Sequence, residues 1–253
     1  MSTRLPWDRY LQLVESDTRR LASLARRDLE ADVPTCPGWT VRDLVLHTAQ
    51  VFQHKVACTR LGAMPEDWPP PPPEGDPVDH LEESLAELLG LLRERGPESP
   101  SATWWPDDQT VGFWYRRMAH EAAVHRVDAE AAFGEITPVA TDLAVDGVDE
   151  VLQLFLGGDW SDQPDDGWRG VSPDAGAGRV VAVIAGEHSW RVTQYPDRVD
   201  VVEGPGEAVA TVGGDPSDVM LWLWRRRPTE LVEVAGDSDA VTALQDRLLL
   251  ATQ

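Results

Sequence analysis

Apolar residues recur at helical spacing through the first half of the chain. Over residues 7–31, Leu11, Val14, Leu21, Leu24 and Ala25 form one stripe with charges between them, and the turn residues Pro34 and Pro37 close the run. The same period predicts a second helix from about Val41 to Leu61, a third over residues 80–95 and a fourth over residues 111–133. Between the second and third, WPPPPPEGDP at 68–77 is too rich in proline for a helix and reads as an extended connector. Four such helices predict a bundle, whose core-facing positions can carry a site.

After Gly134 the pattern changes. Residues 141–156 predict one more helix. RVVAVIAG, HSWRVTQY, RVDVVEG and EAVATVGG then follow as short Val-rich runs divided by Gly, Pro and Asp, the signature of strands joined by tight turns. Asp215 and Pro216 open a helix over residues 215–227, and residues 238–252 supply the last. The expected fold class is α+β in two domains: a four-helix bundle over residues 1–137 and a smaller, mostly antiparallel α/β domain over residues 138–253.

The fourth predicted helix contains RRMAHEAAVHRVDAE at 116–130. At about 100° per residue, Glu121 and His125 project within about 40° of each other. His120 and His125 are five apart, so their side chains diverge by roughly 140°, and the HExxH protease motif, which needs its histidines four apart, is excluded. In the second helix, Thr40 and Asp43 have the spacing of a capping arrangement after the Pro37-Gly38 turn, which sets His47 two turns in. His54 lies on nearly the same face but about 10.5 Å further along, so the two cannot share an ion. His47 is the preferred third donor and His54 the fallback. A Glu–His pair four apart is also an ordinary helix-surface pair; with His47 it becomes two imidazoles and a carboxylate, a set that can hold a divalent metal and leave positions open.

Three blocks, CPGWTVRDLVLHT, MAHEAAVHRVDAE and GGDPSDVMLWLWRRRP, resemble in order the mycothiol-dependent maleylpyruvate isomerase family, and span nearly the whole chain. The resemblance implies a DinB-like bundle for the first domain, with a divalent metal, usually zinc, on a His of the second helix and a Glu and a His of the fourth. Those positions match His47, Glu121 and His125. It also implies mycothiol as thiol cosubstrate, and aligns Arg226 with an arginine placed near the active site, where a guanidinium could clamp a substrate carboxylate. Family members include isomerases and thiol S-transferases, so the electrophile stays unnamed.

Charge narrows the partners. With 22 basic and 44 acidic groups the formal net charge is −22, which disfavours nonspecific attraction to nucleic acid or anionic membrane. No stretch is apolar enough for a membrane span or signal core, so the expected location is the cytoplasm, as a monomer or homodimer. Two cysteines, Cys36 and Cys58, are too few for a disulfide framework, and Cys36 reads as structural. Among 11 tryptophans, Trp39, Trp104, Trp105 and Trp114 lie near the segments that should surround the metal, and Trp39 is the candidate wall of a cofactor or substrate pocket.

The expected chemistry starts from a metal-bound thiol, deprotonated near neutral pH, that attacks an electrophilic carbon. An isomerase would add the thiol to a conjugated cis double bond, let the bond rotate and release it, whereas a transferase would release the adduct. His120 or an ordered water is the candidate proton relay, and Arg226 the candidate clamp. The alternatives are a zinc-dependent hydrolase using the same donors to activate water, and a non-catalytic ligand-binding bundle.

Overall fold

The computed structural model describes residues 3–71, 74–160 and 178–252. It divides into two compact units, one of Leu5–Thr137 and the other of Pro138–Gln253 together with Thr3 and Arg4.

The first unit is a bundle of four helices, α1 (Trp7–Ala25), α2 (Val41–Leu61), α3 (Pro77–Arg95) and α4 (Val111–Ala132). Helix α1 stops at Ala25, short of the expected residue 31, because the chain beyond it has another task. The carbonyls of Leu29 and Ala31 accept from the N–H groups of Arg42 and Val41 at 2.8 and 2.9 Å. Those are two of the first N–H groups of α2, which have no partner inside their own helix. A third is met by the capping box: Thr40 Oγ1 accepts from Asp43 N, and Asp43 Oδ2 accepts from Thr40 N at 2.9 Å. Helix α2 therefore begins from a fixed point, and His47 sits two turns from it. Helix α3 starts three residues earlier than expected, since Asp76 caps the N–H of Val78 and Pro77 occupies the first turn, where its missing N–H is harmless. Within the connector before it, Pro72 and Pro73 lie outside the described residues.

Helix α4 is the core helix. Its buried positions run all round, from Val111 to Glu130, and include Arg116, Arg117, His120, His125, Arg126, Asp128 and Glu130. Charges inside a protein persist only when paired. Arg117–Glu121, Glu121–His125 and Arg126–Glu130 are pairs four residues apart, and His125–Asp128 is a pair three apart.

The second unit carries helix α5 (Thr141–Glu150), continued as a π-helical turn over Val151–Leu156, then a mixed six-stranded sheet. Its strands are β1 (Gly158–Asp159), β2 (Arg179–Ala185), β3 (His188–Gln194), β4 (Arg198–Glu203), β5 (Ala210–Gly214) and β6 (Glu233–Gly236), in the order β1-β4-β3-β2-β5-β6. Among the described residues only β2 and β5 pair in parallel and the other four pairings are antiparallel, in keeping with the mostly antiparallel sheet expected from the sequence. Alternate residues Val181, Val183 and Ala185 of β2 and Trp190 and Val192 of β3 are fully buried, the period of a sheet with one covered face. Helices α6 (Pro216–Leu223) and α7 (Ser238–Ala251) complete the unit.

Helix α6 ends four residues before the expected residue 227. Arg225 takes a left-handed backbone, φ 61, donating its N–H to Trp222 O, while Arg226 N–H reaches back to Leu221 O at 2.7 Å. This is a Schellman ending, usually built on glycine. The three arginines thus lie on the turn beyond the helix and not on its last turn.

Candidate metal centre

The packing of α2 on α4 brings His47, Glu121 and His125 together, with one donor atom from each lying within 4.8 Å of the others. Glu121 Oε1 is the hinge of the group, 3.1 Å from His125 Nε2 and 3.5 Å from His47 Nε2. The two imidazole rings stand nearly perpendicular, 84° apart, with centroids separated by 5.0 Å. Donors held at about 2.1 Å from one zinc ion lie roughly 3.4 Å from each other, so the spacing suits a shared cation.

Neighbouring groups hold these donors in place. Arg117 Nη2 donates to Glu121 Oε2 at 2.6 Å, which turns the carboxylate so that Oε1 faces the histidines. His125 Nδ1 lies 3.0 Å from Asp128 Oδ2, and Asp128 is fully buried. A carboxylate behind the far ring nitrogen fixes both the tautomer and the direction of a ligating histidine. Cys36 Sγ approaches the same Asp128 oxygen at 3.6 Å, so the loop before α2 is tied to the site from outside.

The electrostatics favour positive charge at the centre. Burial would raise the Glu121 carboxyl, but His125, His47 and Arg117 hold it well below the usual carboxylate range. For His125, burial opposes protonation, yet Glu121 and Asp128 push its pKa up to about 9. In the metal-free chain a proton on His125 thus does what a cation would do.

On the solvent side, the Trp39 ring lies 5.0 Å from the His47 ring, and both line a cavity of 450 Å³ with Gly38, Asp43, Leu46 and Gln50. Gly38, φ 86, makes the turn that brings Trp39 there. The other tryptophans singled out from the sequence form a separate aromatic run. Trp104 meets Trp105 and Phe113 edge-on at 6.0 and 5.1 Å, and the fully buried Trp114 donates its Nε1–H to Ser101 Oγ at 3.0 Å. His120 is fully buried and its ring is not part of the three-donor group. His54, the fallback ligand, faces Lys55 and Cys58 instead. Arg226, in the second unit, is half-buried and donates from Nη1 to Trp224 O at 2.8 Å.

Sequence reasoning missed Arg117, Asp128 and the tie to Cys36. The first two were signalled by their spacing, four residues before Glu121 and three after His125, on the face that carries the donors. The approach of Cys36 depends on how the loop folds onto α4, and no local pattern encodes it.

Residues 11–130 match the family model of the mycothiol maleylpyruvate isomerase N-terminal domain, and residues 142–243 match that of the corresponding C-terminal domain. No curated protein matches the sequence. Among solved structures, a mycothiol-dependent maleylpyruvate isomerase aligns with a TM-score of 0.58 at 19% identity, over 92% of this chain and 95% of that one. A histidine-to-alanine variant of such an isomerase aligns over the same shares with a TM-score of 0.56. At this identity the likeness carries the fold.

Proposed function

Because the chain belongs to the mycothiol-dependent maleylpyruvate isomerase family, we propose that it is a metal-dependent enzyme that activates mycothiol for attack on an electrophilic carbon. The observation that carries this reading is the convergence of His47, Glu121 and His125 beside a cavity walled by Trp39. Two imidazoles and a carboxylate suit zinc, and three protein donors, one fewer than a closed structural site, leave room for an outside ligand. A bound ion would supply the positive charge that stabilises a thiolate at neutral pH.

The chain's own residues then have distinct tasks. Glu121 and the two histidines hold the charge, Arg117 and Asp128 fix the directions of Glu121 and His125, and Trp39 offers an apolar face to a thiol or substrate entering along α2. His120, sealed from solvent, would exchange protons only through interior neighbours. Arg226 is the proposed carboxylate clamp, on the strength of its match to the family arginine. Reaction with a low-molecular-weight thiol fits the reducing cytoplasm, where such thiols are kept reduced.

The test is consumption of an α,β-unsaturated acid with and without mycothiol. Turnover is expected only when thiol and metal are both present; thiol regenerated in each cycle identifies an isomerase, and stoichiometric loss to an S-conjugate identifies a transferase. Metal-dependent cleavage of esters or amides without thiol would overturn the proposal in favour of a hydrolase. Arg226→Ala should lower kcat/KM for an acidic substrate by about 10²-fold while metal content stays unchanged. Equal loss with an uncharged electrophile would remove the clamp role.

A further inference from the structure

At the end of α2 remote from Thr40, the thiol of Cys58 meets an imidazole nitrogen and a thioether. His54 and Cys58 are four apart on the helix and share a face, with Cys58 Sγ 3.5 Å from His54 Nδ1. Gly62 takes the left-handed conformation, φ 65, and its N–H caps Cys58 O. Beyond this turn Met64 reaches Cys58, and its Sδ lies 3.4 Å from Cys58 Sγ. Cys58 is fully buried and Met64 is 39% exposed, so a sealed thiol is covered by a thioether that faces solvent. The Trp68 ring stands edge-on to His54 at 5.1 Å. Lys55, the only lysine in the sequence, places Nζ 3.1 Å from the same His54 nitrogen and 4.9 Å from the centre of the Trp114 ring.

We propose that His54, Cys58 and Met64 form a binding site for a soft monovalent cation, Cu(I) or Ag(I), separate from the cluster at His47. Thiolate and thioether are the soft donors that select Cu(I), and imidazole suits copper as well, whereas two imidazoles and a carboxylate suit zinc, so the two clusters, each with a histidine of α2, sort ions by softness. Donors about 2.0–2.3 Å from one ion in a trigonal arrangement lie roughly 3.5–4 Å apart. The two separations from Cys58 Sγ, 3.5 and 3.4 Å, reach that spacing with movements of a few tenths of an ångström at most for His54 and about half an ångström for the exposed Met64. On binding, the S–H bond of Cys58 breaks as the sulfur–metal bond forms, the proton leaves to buffer, and the ion keeps its oxidation state. The thiolate cancels the charge of the ion, so Lys55 meets no added net charge. Its ammonium gives up His54 Nδ1 and keeps its place on the Trp114 ring.

The experiment is an anaerobic titration of the full-length chain, holding its native divalent ion, with Cu(I) against a chromophoric Cu(I) chelator, followed by elemental analysis. One Cu(I) per chain should bind in addition to the divalent ion, with two sulfurs and one nitrogen seen by X-ray absorption at the copper edge. Cys58→Ser should abolish uptake. Met64→Leu, which keeps the volume at an exposed position, should leave the fold intact and weaken binding at least about tenfold. His47→Ala should leave copper uptake unchanged. Failure of the native chain to hold Cu(I) against the chelator, unchanged affinity in either the Cys58 or the Met64 variant, or loss of copper in His47→Ala would each overturn the proposal.

Discussion

His47→Ala and His125→Ala are each expected to leave the purified chain without the divalent ion proposed for this site and to lower thiol-dependent turnover by about 10³-fold or more. The reason lies in the donor count. Three donors converge within 4.8 Å, and removing one leaves a carboxylate and a single imidazole, too few to hold zinc against buffer. The effect should be local. His47 has a side chain 37% exposed, so its truncation opens no cavity, and the His47 variant should unfold at nearly the native temperature. Asp128→Asn is the graded companion, since loss of an orienting carboxylate weakens metal affinity by about 10–100-fold without removing a donor. Acidity provides a further check. Below a pKa of about 9 the metal-free His125 holds a proton that an incoming ion must displace. Apparent metal affinity should therefore fall about tenfold for each unit that the pH drops through the neutral range. Full metal occupancy in both alanine variants, measured by elemental analysis, would show that the ligand set is wrong.

The sequence made the site legible wherever it rested on helical arithmetic. Glu121 and His125 are one turn apart, and Thr40 with Asp43 fixes where α2 begins, so the pair on α4 and the choice between His47 and His54 on α2 could be stated from spacing, with the family resemblance favouring His47. Helices α1–α3 and strands β2 and β3 were readable because each buries one periodic face; α4, buried all round, showed itself by its length of apolar and small residues, and β4 and β5 by their Val-rich runs between turn residues. The misses are of another kind. Strand β6 is exposed at every residue, including Val234 at 41%, and sits at the sheet edge, so burial imposes no alternation on it. The early ends of α1 and α6 come from tertiary hydrogen bonds and from Arg225 in the left-handed region, a conformation that an arginine does not advertise. Cys36, read as a structural thiol, touches the carboxylate that orients His125, a partner that the sequence did not reveal.

The largest loss of stability is expected from Glu130→Ala, about 3–5 kcal/mol, seen as a lower midpoint of urea or thermal unfolding. Glu130 is 1% exposed and gathers the end of α4. Its carboxylate accepts from Arg126 Nη1 at 2.7 Å, from Thr137 N at 2.8 Å and from Arg20 Nε at 3.2 Å. Burial would raise its pKa, but Thr137 and the two arginines hold it down, so the carboxylate is charged at neutral pH and its stabilisation is lost only as the pH falls through that depressed value. Alanine would leave Arg126, itself buried, facing Asp17 at 3.4 Å and the carbonyl of Thr137. Asp17 supplies part of the compensation. Burial raises its pKa to about 6, Arg126 works against this, and the charge of Glu130 adds to it. With Glu130 gone, Asp17 should ionise at a lower pH and take over some of the pairing with Arg126, which draws the loss toward the lower end of the range. Glu130→Gln keeps the acceptor for Thr137 and should lose less. Metal content at low temperature should be unchanged in both variants, because Glu121, His125 and Asp128 have their own partners. A shift under about 1 kcal/mol for Glu130→Ala would show that the buried network contributes little beyond its own desolvation.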